Sequence, residues 1–255
     1  MDRPSRWVCV ACAVLAVGAA GCGDDKPTGP AGGKPTAPDA GPVAPVGALV
    51  ARDRPSSDPG IADLQQKLSA WRQTGRLDTA KENWRLSVPM RPTATFDPKK
   101  TYLWVLQTDH GTLRVRLWTE KAPKHAANVA YLSLIGFYDG LTLHRVMKGK
   151  EIAGGCPVGD GLGTPGYGFE PEYGDEKANA HDRRGLVAST GIGGATDDSK
   201  FRILLGPDAA EKPLSTVFGE VVESDTVLSA LEALGTEKGV PAQRVVIQRA
   251  DLEIR

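Results

Sequence analysis

The sequence predicts a mostly β domain from about residue 101 to the C-terminus, preceded by a short helical extension and a long tether. Three observations carry this. Short apolar and β-branched runs recur between glycine-rich turns after Thr101. Within that region only residues 123–135 and 225–234 read as helices. Residues 23–60, by contrast, are rich in Pro, Gly and Ala and almost lack large apolar side chains. A chain of 255 residues with 24% charged and 40% hydrophobic residues suits one ordinary globular domain plus a less ordered part. Its formal net charge is zero, so there is neither a basic footprint for nucleic acid nor an acidic block that would form a tail.

From the N-terminus, Arg3 and Arg6 stand ahead of an apolar run over residues 7–20 that is too short for a stable bilayer span, the pattern of an export signal. The run ends in Ala19-Ala-Gly-Cys22. Small residues leading directly into a cysteine look like a bacterial lipobox, in which residues 1–21 are removed and Cys22 carries lipid. Ala19 stands where such a motif usually has leucine, and an ordinary signal peptide with an incidental Cys22 is the alternative. Cys9 and Cys12 would leave with the signal, so Cys156 alone remains in the folded domain and no intrachain disulfide forms. The expected place is the bacterial cell envelope, lipid-anchored and exported, on the periplasmic side or the cell surface, with the membrane reached through lipid on Cys22.

Residues 22–60 cannot bury enough surface to offset the entropy of ordering them, so they read as a tether. In polyproline II it would extend by about 3.1 Å per residue, tens of ångströms in all. Ile61, Leu64, Leu68 and Trp71 then share one helical face, with Asp58 and Pro59 before them and Gly75 after. This amphipathic helix is expected to pack on the domain within an extension spanning 61–100, the alternative being a partner-binding helix.

Residues 102–108 and 112–118 form two expected strands joined at Asp109-His110-Gly111, where glycine supplies positive φ for a tight turn. The helix over 123–135 has Pro123 in its first turn and Gly136 as its stop. Short strands follow, then the helix over 225–234 and a last strand over 244–254. Gly161, Gly163 and Gly166 satisfy the bare dinucleotide fingerprint, but Pro171 follows and no helix opens after them, so no phosphate site is expected. Glu170, Glu172, Asp175 and Glu176 are oxygen donors of the kind calcium takes, yet such acidic runs are usually solvated loops. Neither a metal site nor a cofactor is expected.

The most informative residues are Gly136-Phe-Tyr-Asp-Gly-Leu-Thr-Leu-His-Arg-Val146, followed by Gly154-Gly155 and Gly161-Leu-Gly-Thr-Pro-Gly-Tyr167. With His181-Asp-Arg-Arg-Gly-Leu-Val-Ala188, Ser199, Phe201, Ile203 and Thr216-Val-Phe-Gly-Glu-Val-Val222, this stretch resembles the cyclophilins, the β-barrel peptidyl-prolyl cis-trans isomerases. The resemblance implies a closed eight-stranded antiparallel barrel capped by two helices, isomerase activity, and proline-containing polypeptides or an exported protein as partners.

Isomerising an X-Pro bond means twisting an amide against a barrier of about 18–20 kcal/mol. A donor must stabilise the prolyl nitrogen or carbonyl oxygen as conjugation breaks, and an apolar socket must hold the ring. The resemblance places the family's catalytic arginine at Arg145, within the matching context that includes His144. The socket departs from it. The family's Phe-Met pair falls on Lys150 and Glu151, its glutamine on Ala153, and the aspartate of its Gly-Gly-Asp on Cys156. Downstream, its Met-Ala-Asn-Ala run falls on Ser189, Thr190, Gly191 and Ile192, its Gln-Phe-Phe on Lys200, Phe201 and Arg202, and its pocket leucine and histidine on Glu211 and Ser215. A proline ring buried against charged groups would forfeit roughly 1.5–3 kcal/mol of apolar transfer, with a desolvation cost for any ion it covers besides. Opposite signs at Lys150, Glu151, Arg202 and Glu211 predict mutual ion pairs within about 4 Å, with Arg145 drawn to Glu151 as well. The expected function is therefore an envelope-tethered isomerase of weak or altered preference. The alternative is a non-catalytic cyclophilin-like module that binds protein through a charged groove.

Overall fold

The computed structural model describes residues 48–173, 180–190, 198–208 and 215–255. The chain enters at a two-residue strand, β1 (Ala48–Leu49), which pairs antiparallel with the last strand, β9 (Ile247–Ile254). Val50 follows, buried, its N–H donating to the Leu252 carbonyl at 2.7 Å. The Arg52 guanidinium donates to both oxygens of Asp139, at 2.5 and 3.0 Å, and to the Ala250 carbonyl. The tether expected over 22–60 thus gives way to the folded domain by Ala48, because the outer edge of β9 offers backbone groups that need partners; residues 22–47 lie outside the described residues, as does the expected signal with Cys22.

Helix α1 (Pro59–Gln73) is capped by Asp58, whose Oδ1 accepts from the Ile61 N–H at 3.1 Å. The other carboxylate oxygen takes Lys100 Nζ and the Tyr102 hydroxyl, each at 2.8 Å. Ile61, Leu64 and Leu68 are buried in the main core, and the Trp71 ring meets Tyr131 edge-on at 6.1 Å. The predicted stripe therefore faces the core. A single 3-10 turn at Trp84–Leu86 follows, and Arg85 locks it down by donating to the Phe137 and Asp139 carbonyls, both at 2.7 Å.

Strands β2 (Tyr102–Thr108) and β3 (Gly111–Leu117) form the predicted hairpin. Helix α2 (Pro123–Leu134) comes next and is buried along most of its length, from His125 through Leu134. Five short strands follow: β4 (Arg145–Met147), β5 (Glu151–Gly154), β6 (Leu186–Ser189), β7 (Phe201–Leu204) and β8 (Val217–Val222). Helix α3 (Asp225–Ala233) inserts Leu228 and Leu231 into the core before β9 closes the chain. Trp104 lies at the centre, with Phe201 at 4.8 Å and Tyr138 at 5.1 Å between ring centroids.

The expected closed eight-stranded barrel is corrected by the structure. There is one curled antiparallel sheet of nine strands in the order β1-β9-β2-β3-β8-β6-β7-β5-β4, eight substantial strands plus the two-residue β1, and it is open between its ends. Among the described residues, only an isolated bridge from Thr142 to Val246 and loop hydrogen bonds span the gap, among them Val146 N–H to the Gly239 carbonyl at 2.8 Å. The physical reason lies in the chain that faces β4. It carries Gly235, Gly239 at φ 81° and Pro241, so it turns and lacks an N–H where a closing strand would need an unbroken ladder.

Candidate functional site

The site grows from the pairing of β4, β5 and β7. Arg145 stands opposite Ala153, and Ala153 opposite Arg202; one step along, Met147 faces Glu151 and Glu151 faces Leu204. Residues opposite each other or two apart share a sheet face, so Arg145, Met147, Glu151, Ala153, Arg202 and Leu204 all lie on one side. The intervening residues Val146, Ile152 and Ile203 lie on the other and are fully buried.

On the outer face two guanidinium groups converge on one carboxylate. Arg145 Nε lies 2.9 Å from Glu151 Oε1, and Arg202 Nη1 lies 3.5 Å from Glu151 Oε2. Arg202 is further held by Asp208, 2.8 Å away, and donates through Nη2 to Ser215 Oγ at 3.1 Å. Ser215 in turn meets His181 Nε2 at 3.0 Å. Arg145 also donates to Met147 Sδ at 2.7 Å, and its side chain is 50% exposed while those of Glu151 and Arg202 are 18% exposed. Beneath it runs the turn at Gly239, where a Cβ would meet Arg145 Cγ and Met147 Cγ at 3.2 Å each; only glycine leaves room for the arginine stem there at positive φ.

His144, the neighbour of Arg145, is half-buried under Gly161, and its Nδ1 has no hydrogen-bond partner among the described residues. Burial, joined by the nearby Lys200 and Arg145 charges, pushes its pKa below the ordinary value, against the pull of Asp160 and Glu151. Lys200 is buried and neutralised by Asp198 at 2.7 Å, and donates to the Gly163 carbonyl at 3.0 Å, clamping the glycine-rich loop.

Several apolar residues of the outer face are already covered. Leu186, Ala188, Leu204 and Val217 are buried together, packed against Trp118. Among the described residues, the charged groups on this face are therefore two guanidinium donors and a shared carboxylate, with Met147 beside them.

The family model for cyclophilin type peptidyl-prolyl cis-trans isomerase/CLD matches residues 103–252. This chain belongs to that family. Among curated relatives, peptidyl-prolyl cis-trans isomerase-like 2 of Cryptococcus neoformans var. neoformans serotype D is 31% identical over 174 residues, which is 66% of this cyclophilin but only 30% of that protein. A peptidyl-prolyl cis-trans isomerase of Synechococcus elongatus is 36% identical over 146 residues, 57% of this chain and 97% of its own. Among solved structures, a cyclophilin type peptidyl-prolyl cis-trans isomerase of Cryptosporidium parvum superposes with TM-score 0.55 at 27% identity, over 61% of this chain and 98% of that one. The same protein was crystallised in the presence of the dipeptide Ala-Pro, and that structure superposes with TM-score 0.54.

In this cyclophilin the structure brings together Arg145, Glu151, Ala153, Arg202 and Ser215, with His144 and Lys200 beside them. Of the four-residue network expected from the sequence, the Glu151–Arg202 pair and the added Arg145–Glu151 pair are present. Lys150 stands exposed in the turn before β5 and joins no ion pair among the described residues. Thr190 is half-buried just past β6, and Gly191 and Glu211 lie outside the described residues. The Glu172 carboxylate caps α2 by accepting from the N–H groups of Lys124 and His125, both at 2.9 Å, and holds His125 Nδ1 at 2.6 Å. Burial opposes its ionisation, but these hydrogen bonds outweigh burial and hold the Glu172 carboxyl below its ordinary value. Glu170 pairs with Lys124 at 3.2 Å, and Asp175 and Glu176 lie outside the described residues.

Sequence reasoning missed Asp208, His181, Met147 and Gly239. Met147 was within reach of it, being two residues from Arg145 on one strand. The other three are joined to the site by loops that no local pattern connects.

Proposed function

We propose that this cyclophilin is a peptidyl-prolyl cis-trans isomerase of the bacterial cell envelope, anchored by lipid on Cys22 through a tether that ends before Ala48. Arg145 is its catalytic donor and proline-containing polypeptides are its ligands. Its turnover of apolar X-Pro peptides lies well below that of a cyclophilin with an apolar socket. The observation that carries the reading is Arg145 itself, half-exposed on the outer face with only Nε committed to Glu151. Nη2 gives one hydrogen to the weak acceptor Met147 Sδ, and the other Nη hydrogens are available to an amide whose conjugation is breaking. The match to a relative crystallised with Ala-Pro supports proline peptides as ligands.

Exchange spectroscopy of blocked Ala-Pro peptides with the full chain tests this. Measurable acceleration that disappears in Arg145→Ala supports the isomerase; acceleration that survives in Arg145→Ala removes Arg145 from the mechanism. The anchor has its own test, since Cys22→Ser is expected to move the protein from the membrane to the soluble fraction.

A second reading, a non-catalytic module that binds an exported protein, is favoured by the continuous chain of charge from Arg145 through Glu151 and Arg202 to Asp208. It predicts peptide binding with no acceleration at all.

A further inference from the structure

Arg145 and Arg202 flank Ala153 on one sheet face and share a single carboxylate, and the two contacts are unequal. Arg145 holds Glu151 at 2.9 Å, whereas Arg202 reaches it only at 3.5 Å and is held more closely by Asp208 at 2.8 Å. Removing Glu151 from this position would therefore not strand Arg202 without a counter-charge. Each guanidinium also has more N–H donors than the named acceptors use: Arg145 spends one on a thioether sulfur, a weak acceptor, and keeps half of its side chain in solvent. A surplus of donors, with one of the two guanidinium groups only 3.5 Å from the carboxylate they share, is an arrangement that accepts another carboxylate.

We propose that this groove recognises peptides carrying an acidic side chain next to the proline, the ligand carboxylate binding Arg145 and Arg202 in the place Glu151 now occupies. The inference rests on the isomerase reading for the proline and adds the substrate class. Two alternatives are disfavoured on the same observations. An apolar flanking residue finds no wall, because Leu186, Ala188, Leu204 and Val217 are already packed against Trp118. A basic residue would meet Arg145, Arg202 and, at the rim, exposed Lys150, with Glu151 and Asp208 already engaged. Glutamine keeps the shape of glutamate but gives up the charge-assisted, two-pronged bond that guanidinium forms with carboxylate, so the pair is a clean discriminator.

The test titrates the isotope-labelled full chain with blocked tetrapeptides, Ac-Ala-Xaa-Pro-Ala-NH2 and Ac-Ala-Pro-Xaa-Ala-NH2, where Xaa is Glu, Gln or Lys. In at least one of the two positions the Glu peptide is expected to bind about fivefold more tightly than its Gln counterpart at low salt, the size of one partly exposed ion pair. Added sodium chloride should shrink the preference. Arg202→Met should abolish it, Arg202→Lys should keep part of it if the methionine variant is misfolded, and Glu151→Gln should widen it. Equal affinities for Glu and Gln peptides, a preference for Lys, or a preference that survives in a folded Arg202→Met would overturn the proposal. So would an unblocked Gln peptide that binds as well as the blocked Glu peptide, since the carboxylate recognised would then be the chain terminus.

Exchange rates recorded on the same samples separate the two readings. Preference for Glu without any acceleration sinks the isomerase and leaves acidic recognition standing, whereas equal acceleration and equal binding of Glu and Gln peptides do the reverse.

Discussion

The two faces of β4, β5 and β7 belong to the same few residues of chain and have opposite characters. Val146, Ile152 and Ile203 point inward with no exposed surface, while their immediate neighbours Arg145, Glu151 and Arg202 carry charge on the outer face. Because strand side chains alternate with period two, each residue answers to one face only. The inward set must fill a core at crystal-like density, and the outward set meets no such demand. A strand can therefore keep an apolar inner face while its outer face carries charge, as Arg145, Glu151 and Arg202 do here beside Val146, Ile152 and Ile203.

The largest effects should fall on the inward face. Ile152→Ala, or Leu64→Ala on α1, is expected to lower stability by about 2–5 kcal/mol, read from denaturant midpoints, because each removes fully buried methylenes. A loss below about 1 kcal/mol for Leu64→Ala would show that α1 is an appendage rather than part of the core.

Next comes Asp58, which caps α1 and binds Lys100 and Tyr102 from a buried position. Asp58→Ala should cost about 0.5–2 kcal/mol for the cap alone. Burial opposes ionisation of Asp58, yet its hydrogen bonds with Lys100, Ile61 and Tyr102 outweigh burial and depress its pKa below the ordinary 3.8; Glu172 is depressed likewise below 4.5. For a carboxylate with a depressed folded pKa, the stabilisation is fully present above the ordinary value and is lost as pH falls through the folded one. Stability should thus decline as pH drops below about 4, and less steeply in Asp58→Asn.

The smallest effects belong to the outward face. Glu151→Gln should change stability by less than about 1 kcal/mol, as expected of partly exposed ion pairs. The same variant should raise exchange of apolar X-Pro peptides, by up to about fivefold, because Arg145 is released; 1 kcal/mol is most of a decade at about 1.4 kcal/mol per tenfold. A large stability loss in Glu151→Gln, or unchanged exchange, would erase the contrast between the faces.

Much of this was legible along the chain. The β2–β3 hairpin announced itself through Gly111, α2 through Pro123 and Gly136, and α1 through a stripe at helical spacing that the structure buries. The motif around Arg145 pointed to the family, and opposite charges at Glu151 and Arg202 predicted their contact. Sheet closure was not legible. Whether β4 meets a strand depends on Gly239 and Pro241, almost a hundred residues on, and a resemblance to barrel proteins does not register how their turn falls against β4.

By itself the sequence determined the family, the helices, the first hairpin and the identity of the groove's charges, since turn chemistry, side-chain period and motif order are local properties. Only the tertiary structure decided that residues 48–60 join the domain, that the sheet stays open, and that one carboxylate is divided between Arg145 and Arg202 with Asp208 and Ser215 behind. Those outcomes depend on which distant strand and loop lie side by side, and register between segments far apart in sequence is set by packing of the whole core rather than by any local preference.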